Sequence, residues 1–294
     1  MLSGVPAPTQ ASTRSNATPS VRRASEQATT TPTAPVGIAS FVSSRLAAVA
    51  DARKAVGMAA YMKTAQPFFG VQKPEREPIF KEMCVRYAPR DGRDYRSSVL
   101  ALWAAGMGNT DAEAESGEAR KAPRPPRRDS QMIPPVYSGE REVLYAACAF
   151  AEAFDEHIIP AHLPLFKRMI VDGGWWDLVD TVAGRMISPM MRTHRNATTP
   201  IMRKWVDDEN LWVRRSAIIC QINHNADTDA DLLFDLCLKR AHETDFFIRK
   251  AIGWALRDYA WAEPDTVRAF LKKHKAKLAP LTLREAGKNI GVKP

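Results

Sequence analysis

The sequence predicts an all-α protein, an α-solenoid in which a short array of helical repeats stacks into a curved superhelix with one concave face. Three observations carry this. Apolar residues recur at helical spacing over most of the chain, and no run of alternating strand pattern competes with them. A ten-residue pattern returns after roughly 35 residues, the range of helical-pair repeats. Hydrophobic residues make up 45% of the 294 residues, enough for a sizeable core along such an array.

The elements follow in chain order. Residues 1 to about 36 are rich in Ser, Thr, Ala and Pro and carry Arg14, Arg22 and Arg23 against a single acid, Glu26. Such a segment cannot bury enough apolar area to order itself, so a disordered tail is expected. Its acid-poor, Arg-bearing composition also resembles an organellar transit peptide. The repeat domain is expected over 37–294. A helical pattern begins at about Ala39, where Phe41, Leu46, Val49 and Val56 precede Tyr61, and the turn-rich stretch Gln66-Pro67-Phe68-Phe69-Gly70 follows. From about Gly106 to Tyr137 the composition shifts again. It is acidic at first (Asp111, Glu113, Glu115, Glu118), then basic (Arg120, Lys121, Arg124, Arg127, Arg128), with several prolines. This reads as an inserted flexible loop at about 106–137.

The remainder repeats. Asp208-Glu209-Asn210-Leu211-Trp212-Val213-Arg214-Arg215 aligns with Glu243-Thr244-Asp245-Phe246-Phe247-Ile248-Arg249-Lys250. An acid, a cap-like residue, two large apolar residues, an aliphatic and two bases recur in that order. Weaker copies start near Gly174 and Gly139. Asn210 and Asp245 have the short polar side chains that cap helix N-termini.

Charge and cysteine content narrow the function. Lys and Arg exceed Asp and Glu by a formal +9, which suits a polyanionic partner, nucleic acid being the commonest. Cys84, Cys148, Cys220 and Cys237 form no CxxC pair and lie near no histidine at ligand spacing. That argues against a zinc site and a disulfide framework and fits a reducing compartment. No apolar run reaches the roughly 20 residues of a membrane span, and Met1 to Val36 has no apolar core of a secretory signal.

Two helices carry candidate chemistry. In Asp245 to Ala260, Ile248, Ala251, Ile252, Ala255, Leu256 and Tyr259 form the core stripe. Trp254 falls off that stripe, flanked on its own face by Lys250 and Arg257. An indole between two cations suits a binding surface; packing against the neighbouring repeat is the alternative. In Gly174 to Asp180, Trp176 and Asp180 are four apart and share a helix face, while Leu178, Val179, Val182 and Met186 can serve the core. A carboxylate beside an indole is partly desolvated, as active-site carboxylates often are. Arg214 and Arg215 both follow Trp212, and periodicity does not decide which reaches phosphate. The run Lys272-Lys273-His274-Lys275-Lys277 is a further basic patch or a solvated helix end.

Five stretches also resemble the AlkD-type alkylpurine DNA glycosylases. They are Tyr61-Met62-Lys63 with Phe68-x-Gly70-Val71-x-x-Pro74-x-Arg76; Trp175-Trp176-Asp177-x-x-Asp180; and Trp205-x-x-x-x-Asn210-x-Trp212-x-Arg214-Arg215-x-Ala217-Ile218. The other two are Phe246-Phe247-Ile248-x-Lys250-Ala251-Ile252-Gly253-Trp254-x-Leu256-Arg257-x-Tyr259-Ala260 and Pro280-Leu281-x-x-Arg284-Glu285-Ala286. The resemblance spans about residues 40 to 105 and 138 to 290; the tail and the 106–137 loop depart from it.

The resemblance implies a HEAT-like superhelix that grips duplex DNA in a positive concave face. It also implies excision of 3-methyladenine and 7-methylguanine type lesions without flipping the base into a pocket. Carried over by motif, Asp180 is the catalytic carboxylate, Trp176 and Trp254 flank the lesion deoxyribose, Arg215 holds the backbone near the lesion, and Tyr61 lines the cleft. Arg214, Lys250 and Arg257 complete the candidate DNA contacts. No metal and no cofactor are implied. The expected partner is double-stranded DNA containing alkylated purines, bound by a monomer in the cytoplasm at the nucleoid, or in a nucleus or organelle if the source is eukaryotic. The competing reading is a non-catalytic HEAT-like scaffold for damaged or branched DNA or for a protein partner. The presence of Asp180, Trp176 and Trp254 together weighs against it.

Overall fold

A computed structural model describes residues 36–109 and 134–291. The expected disordered tail, up to residue 35, and most of the expected loop lie outside the described residues. The edges of both are inside. Helix α1 (Val36–Ala47) already starts at Val36. Helix α4 (Gly92–Met107) runs past Gly106 and stops at Gly108, in the left-handed conformation. On the far side the Tyr137 hydroxyl donates to the Asp172 carbonyl at 2.5 Å. The described residues thus include both edges of the 106–137 segment, residues 106–109 and 134–137.

Among the described residues every regular element is helical, and one continuous core cluster runs from Ile38 to Ile290. The first helical stretch is two helices, not one. Ile38, Val42 and Leu46 of α1 are fully buried, but the chain breaks at Ala48–Asp51. Asp51 then caps α2 (Ala52–Met62), accepting from the backbone N–H groups of Arg53 and Lys54. The break leaves Val49 and Val56 exposed, so these two positions are not core. No residue of α2 is buried; the helix lies on the rest of the protein through half-buried side chains.

What holds α2 in place is the turn after it. Gln66, buried, donates to the carbonyls of Gly106 and Gly139 at 3.0 and 2.9 Å. Both carboxylate oxygens of Glu142, on α5 (Arg141–Ala153), accept backbone N–H groups, from Phe69 and from Gly70 and Val71. Burial pushes the Glu142 carboxyl upward and these N–H bonds draw it back. Gly70 sits at φ +82°, where a Cβ would lie 2.0 Å from the Asp51 carbonyl oxygen, so only glycine lets the turn close on α2. Glu142→Gln would aim an amide N–H₂ at backbone donors and leave at least one unmet. A loss of about 1–3 kcal/mol is expected, read as a lowered melting temperature; an unchanged one would show that the turn does not depend on this carboxylate.

From α5 onward the helices form two rows. The first row runs α5, α7 (Trp176–Val182), α10 (Leu211–Ile218), α12 (Phe246–Tyr259) and α14 (Pro280–Ala286), each against the next. The second contains α6 (Leu163–Gly173), α9 (Arg195–Trp205), α11 (Ala230–Arg240) and α13 (Pro264–His274), each packed on the first row. A π-helical turn, Ala183–Ile187, joins α7 to α8 (Ser188–Thr193). This is the predicted α-solenoid.

The repeat read from the sequence is a structural repeat. Asn210 caps α10, accepting from Trp212 and Val213, and Asp245 caps α12, accepting from Phe247 and Ile248. The predicted stripe of α12 is buried throughout, from Ile248 at 0% exposure to Tyr259 at 7%. Trp212 and Phe247, at equivalent places, pack with centroids 4.8 Å apart and both meet Trp175, forming an aromatic spine between repeats. At the other end α12 and α14 approach closely: a Cβ on Gly253 would come within 2.5 Å of the Glu285 Cβ.

Candidate functional site

One register of the first row is marked by residues one repeat apart. Asp180 on α7 and Arg215 on α10 are 35 residues apart and make a bidentate ion pair, Nε to Oδ1 at 2.8 Å and Nη2 to Oδ2 at 2.7 Å. The pair is largely out of water: 6% of the Arg215 side chain and 17% of the Asp180 side chain are exposed. The third guanidinium nitrogen donates to the Phe247 carbonyl at 2.6 Å, so Arg215 spans α7, α10 and α12. Its Cζ lies 5.9 Å from the ring centroids of both Phe247 and Trp254, within cation–π range.

Trp176 sits one turn before Asp180, half-buried at the start of α7. Tyr61, 72% exposed on α2, meets the Trp176 ring edge-on with centroids 6.2 Å apart. The structure thus gathers Asp180, Arg215 and Trp254 directly and brings Tyr61 to Trp176 on the same helix as the carboxylate. The helix bearing Asp180 ends in the π-helical turn, a local widening that recurs at functional sites.

A second carboxylate on α7 ties that helix to the preceding repeat. Asp177, one turn before Asp180, receives Nε and Nη2 of Arg141 at 2.9 and 2.6 Å and the Tyr145 hydroxyl at 2.7 Å. Arg141 is fully buried and its Nη1 reaches Gln66 Oε1 at 2.7 Å. Arg76 lies over the Tyr145 ring at 4.6 Å. One buried network therefore links the turn that carries α2 to the helix that carries Trp176 and Asp180. Removing one partner of a buried pair is costly, so neither end moves freely.

The other expected contacts divide. Arg214 bonds to groups other than Asp180. It clamps Glu243 with Nε and Nη2 at 2.9 and 3.0 Å and donates to the carbonyls of Asp208 and Glu209, tying α10 to the turn before α12. Lys250 and Arg257 flank Trp254 on one face, as the spacing implies, and both reach Glu285 on α14 at 2.9 Å. The guanidinium of Arg215, expected at the DNA backbone, is turned inward to a carboxylate and a carbonyl. The four cysteines are unpaired, and burial pushes the Cys84 thiol up to about 11 and that of Cys220 to about 12, away from nucleophilic character.

Sequence reasoning assigned no role to Asp177, Arg141 or Glu285. A signal for the last existed: Asp180, Arg215, Lys250 and Glu285 recur at one repeat spacing, the first two pairing with each other and the last two likewise. Arg141 carried no such signal, since a basic residue at a helix start reads as solvated.

The comparisons with known proteins agree with this architecture. The family model described as DNA alkylation repair enzyme matches residues 42–113 and 124–290. A solved structure described as a predicted DNA alkylation repair enzyme from Enterococcus faecalis is 25% identical, with a TM-score of 0.65, over 81% of this chain and 95% of that one. No curated protein matches the chain.

Proposed function

The chain belongs to the DNA alkylation repair enzyme family, and from that premise we propose that it is a monofunctional DNA glycosylase acting on cationic alkylated purines in duplex DNA, of the 3-methyladenine and 7-methylguanine type. The observation that carries this reading is the Asp180 carboxylate, held by Arg215 beside Trp254 and one turn from Trp176.

The chemistry follows from the charge of the lesion. An alkylated purine is a cation and leaves as a neutral base, taking the electron pair of the C1′–N bond with it, so no acid is required to assist departure. Positive charge then appears on the deoxyribose as an oxocarbenium ion. An unpaired carboxylate at about 4 Å stabilises such a charge by about 4 kcal/mol at an effective dielectric near 20; Asp180, paired with Arg215, supplies part of that. Indole faces add about 0.5–2 kcal/mol by cation–π attraction. Water attacks C1′ and its proton passes to the carboxylate or to solvent, completing hydrolysis.

Arg215 is compatible with this role. An ionised carboxylate offers about four lone-pair positions, and a bidentate guanidinium occupies two of them. The remainder are available to a sugar cation or a water. By fixing the carboxylate, Arg215 lowers the reorganisation needed when charge develops. It also offsets the repulsion between Asp180 and DNA phosphates, the difficulty of placing an acid in a basic cleft.

The test is direct. Duplex containing 7-methyldeoxyguanosine, incubated with the protein, should yield free 7-methylguanine and an abasic strand. Binding should weaken steeply with salt, each phosphate contact contributing about −0.9 to the log–log slope. Tight, salt-dependent binding with no released base would instead establish the scaffold reading.

A further inference from the structure

The end of the solenoid carries a second charged cluster. Glu285 on α14 is 8% exposed at its side chain, yet three cations converge on its two oxygens: Lys250 and Arg257 from α12, and Lys288 just beyond α14, each at 2.9 Å. Burial alone would raise this carboxyl, but the hydrogen bonds from Lys288 and Lys250 and their charge hold it down at about 2, so it stays ionised. Three cations around one carboxylate leave a net charge of +2. The cations are the solvent-facing part: 36% of the Lys250 side chain, 26% of Arg257 and 48% of Lys288 are exposed. Each makes its bond to Glu285 with only some of its N–H groups, leaving further donors open.

This arrangement is unlike the Asp180–Arg215 pair, although it occupies the same register two repeats on. There the carboxylate and the base neutralise each other and the base is buried. Here the carboxylate is buried and the bases surround it. The close approach of α12 to α14 at Gly253 places the Glu285 stem against α12 and so sets the spacing of the cations. Trp254, between Lys250 and Arg257 in sequence, connects the cluster to Arg215.

The geometry points to a preorganised phosphodiester site built from Lys250, Arg257 and Lys288, with Glu285 as its positioning residue. It rests on the duplex-binding reading above and assigns one stretch of backbone phosphate to the face beside Trp254. An ammonium or guanidinium tethered to a buried carboxylate has already lost most of its rotamer freedom, so less entropy is lost when phosphate arrives. Glu285 thus assists anion binding although its own charge opposes it.

That opposition makes the test sharp. Affinity for an undamaged duplex is measured over a range of salt concentrations for the wild type, Lys288→Ala, Glu285→Gln and Lys81→Ala. Lys81, on α3 (Lys73–Arg86), is 77% exposed and outside the cluster, so its replacement makes the same change in net charge as Lys288→Ala. Lys288→Ala is expected to reduce the salt slope by about 0.9, and Lys81→Ala to leave it unchanged; equal effects would overturn the site. Glu285→Gln should weaken binding several-fold although a negative charge is removed, whereas tighter binding would mean that Glu285 only subtracts from the field. If Glu285→Gln fails to fold, Lys288→Ala decides the matter, because Lys288 is half exposed. Release of 7-methylguanine by a wild type whose slope Lys288→Ala does not alter would sink this site alone. A wild type that does not bind duplex would remove the functional reading and this site with it.

Discussion

Asp180→Asn should slow release of 7-methylguanine by about 10²–10³-fold, the loss that follows removal of one preorganised electrostatic group from a transition state. The substitution keeps the shape of the side chain and one acceptor for Arg215. It removes the negative charge that faces the forming oxocarbenium ion. Affinity for duplex should hold or rise, since a charge that repels phosphate is gone and Arg215 is partly released. Single-turnover excision, with binding measured separately, separates these effects. Wild-type rates in Asp180→Asn would sink the mechanism and leave the fold untouched. So would rapid excision of uracil by the wild type, because uracil leaves as an anion and this site presents no evident acid to neutralise it.

Arg215→Ala should be the more damaging change, because two losses coincide. It strands a mostly buried carboxylate and removes the bond to the Phe247 carbonyl that joins α10 to α12. Breaking one side of such a pair costs about 3–5 kcal/mol, visible as a clear fall in melting temperature. Excision should fall with it, since Asp180 loses its orientation. Arg215→Lys separates the two contributions. A lysine keeps the charge but cannot reproduce the two parallel bonds to the carboxylate. Stability should recover in part while excision stays well below wild type, measured under conditions where the variant is fully folded. Full recovery of excision in Arg215→Lys would show that charge alone suffices and that the bidentate clamp has no role in positioning.

Much of this molecule was legible in the chain itself. The solenoid followed from local signals: helical periodicity, short polar caps at Asn210 and Asp245, and a pattern that returns each repeat. These signals are readable because they act over a few residues, and because each repeat packs on its neighbours alone. The buried stripe of α12 and the displacement of Trp254 from it followed for the same reason. Helical spacing singled out Trp254 and set Trp176 and Asp180 on one face; their roles, Tyr61, and the choice of Arg215 over Arg214, which periodicity left equivalent, came from motif resemblance.

The tertiary structure decided what those residues touch. Arg214 and Arg215 are neighbours in sequence, yet one faces Glu243 and the other Asp180, because adjacent positions on a helix point about 100° apart. Lys250 and Arg257 meet on Glu285 only because α14 folds back against α12. Asp177 resembles a surface acid until Arg141, from the preceding repeat, closes on it. The reason is the range of the forces. Helix formation and capping are settled within a turn or two of chain. A charge is stable out of water only beside its partner, and here the partner lies one repeat away, at a distance that packing alone determines.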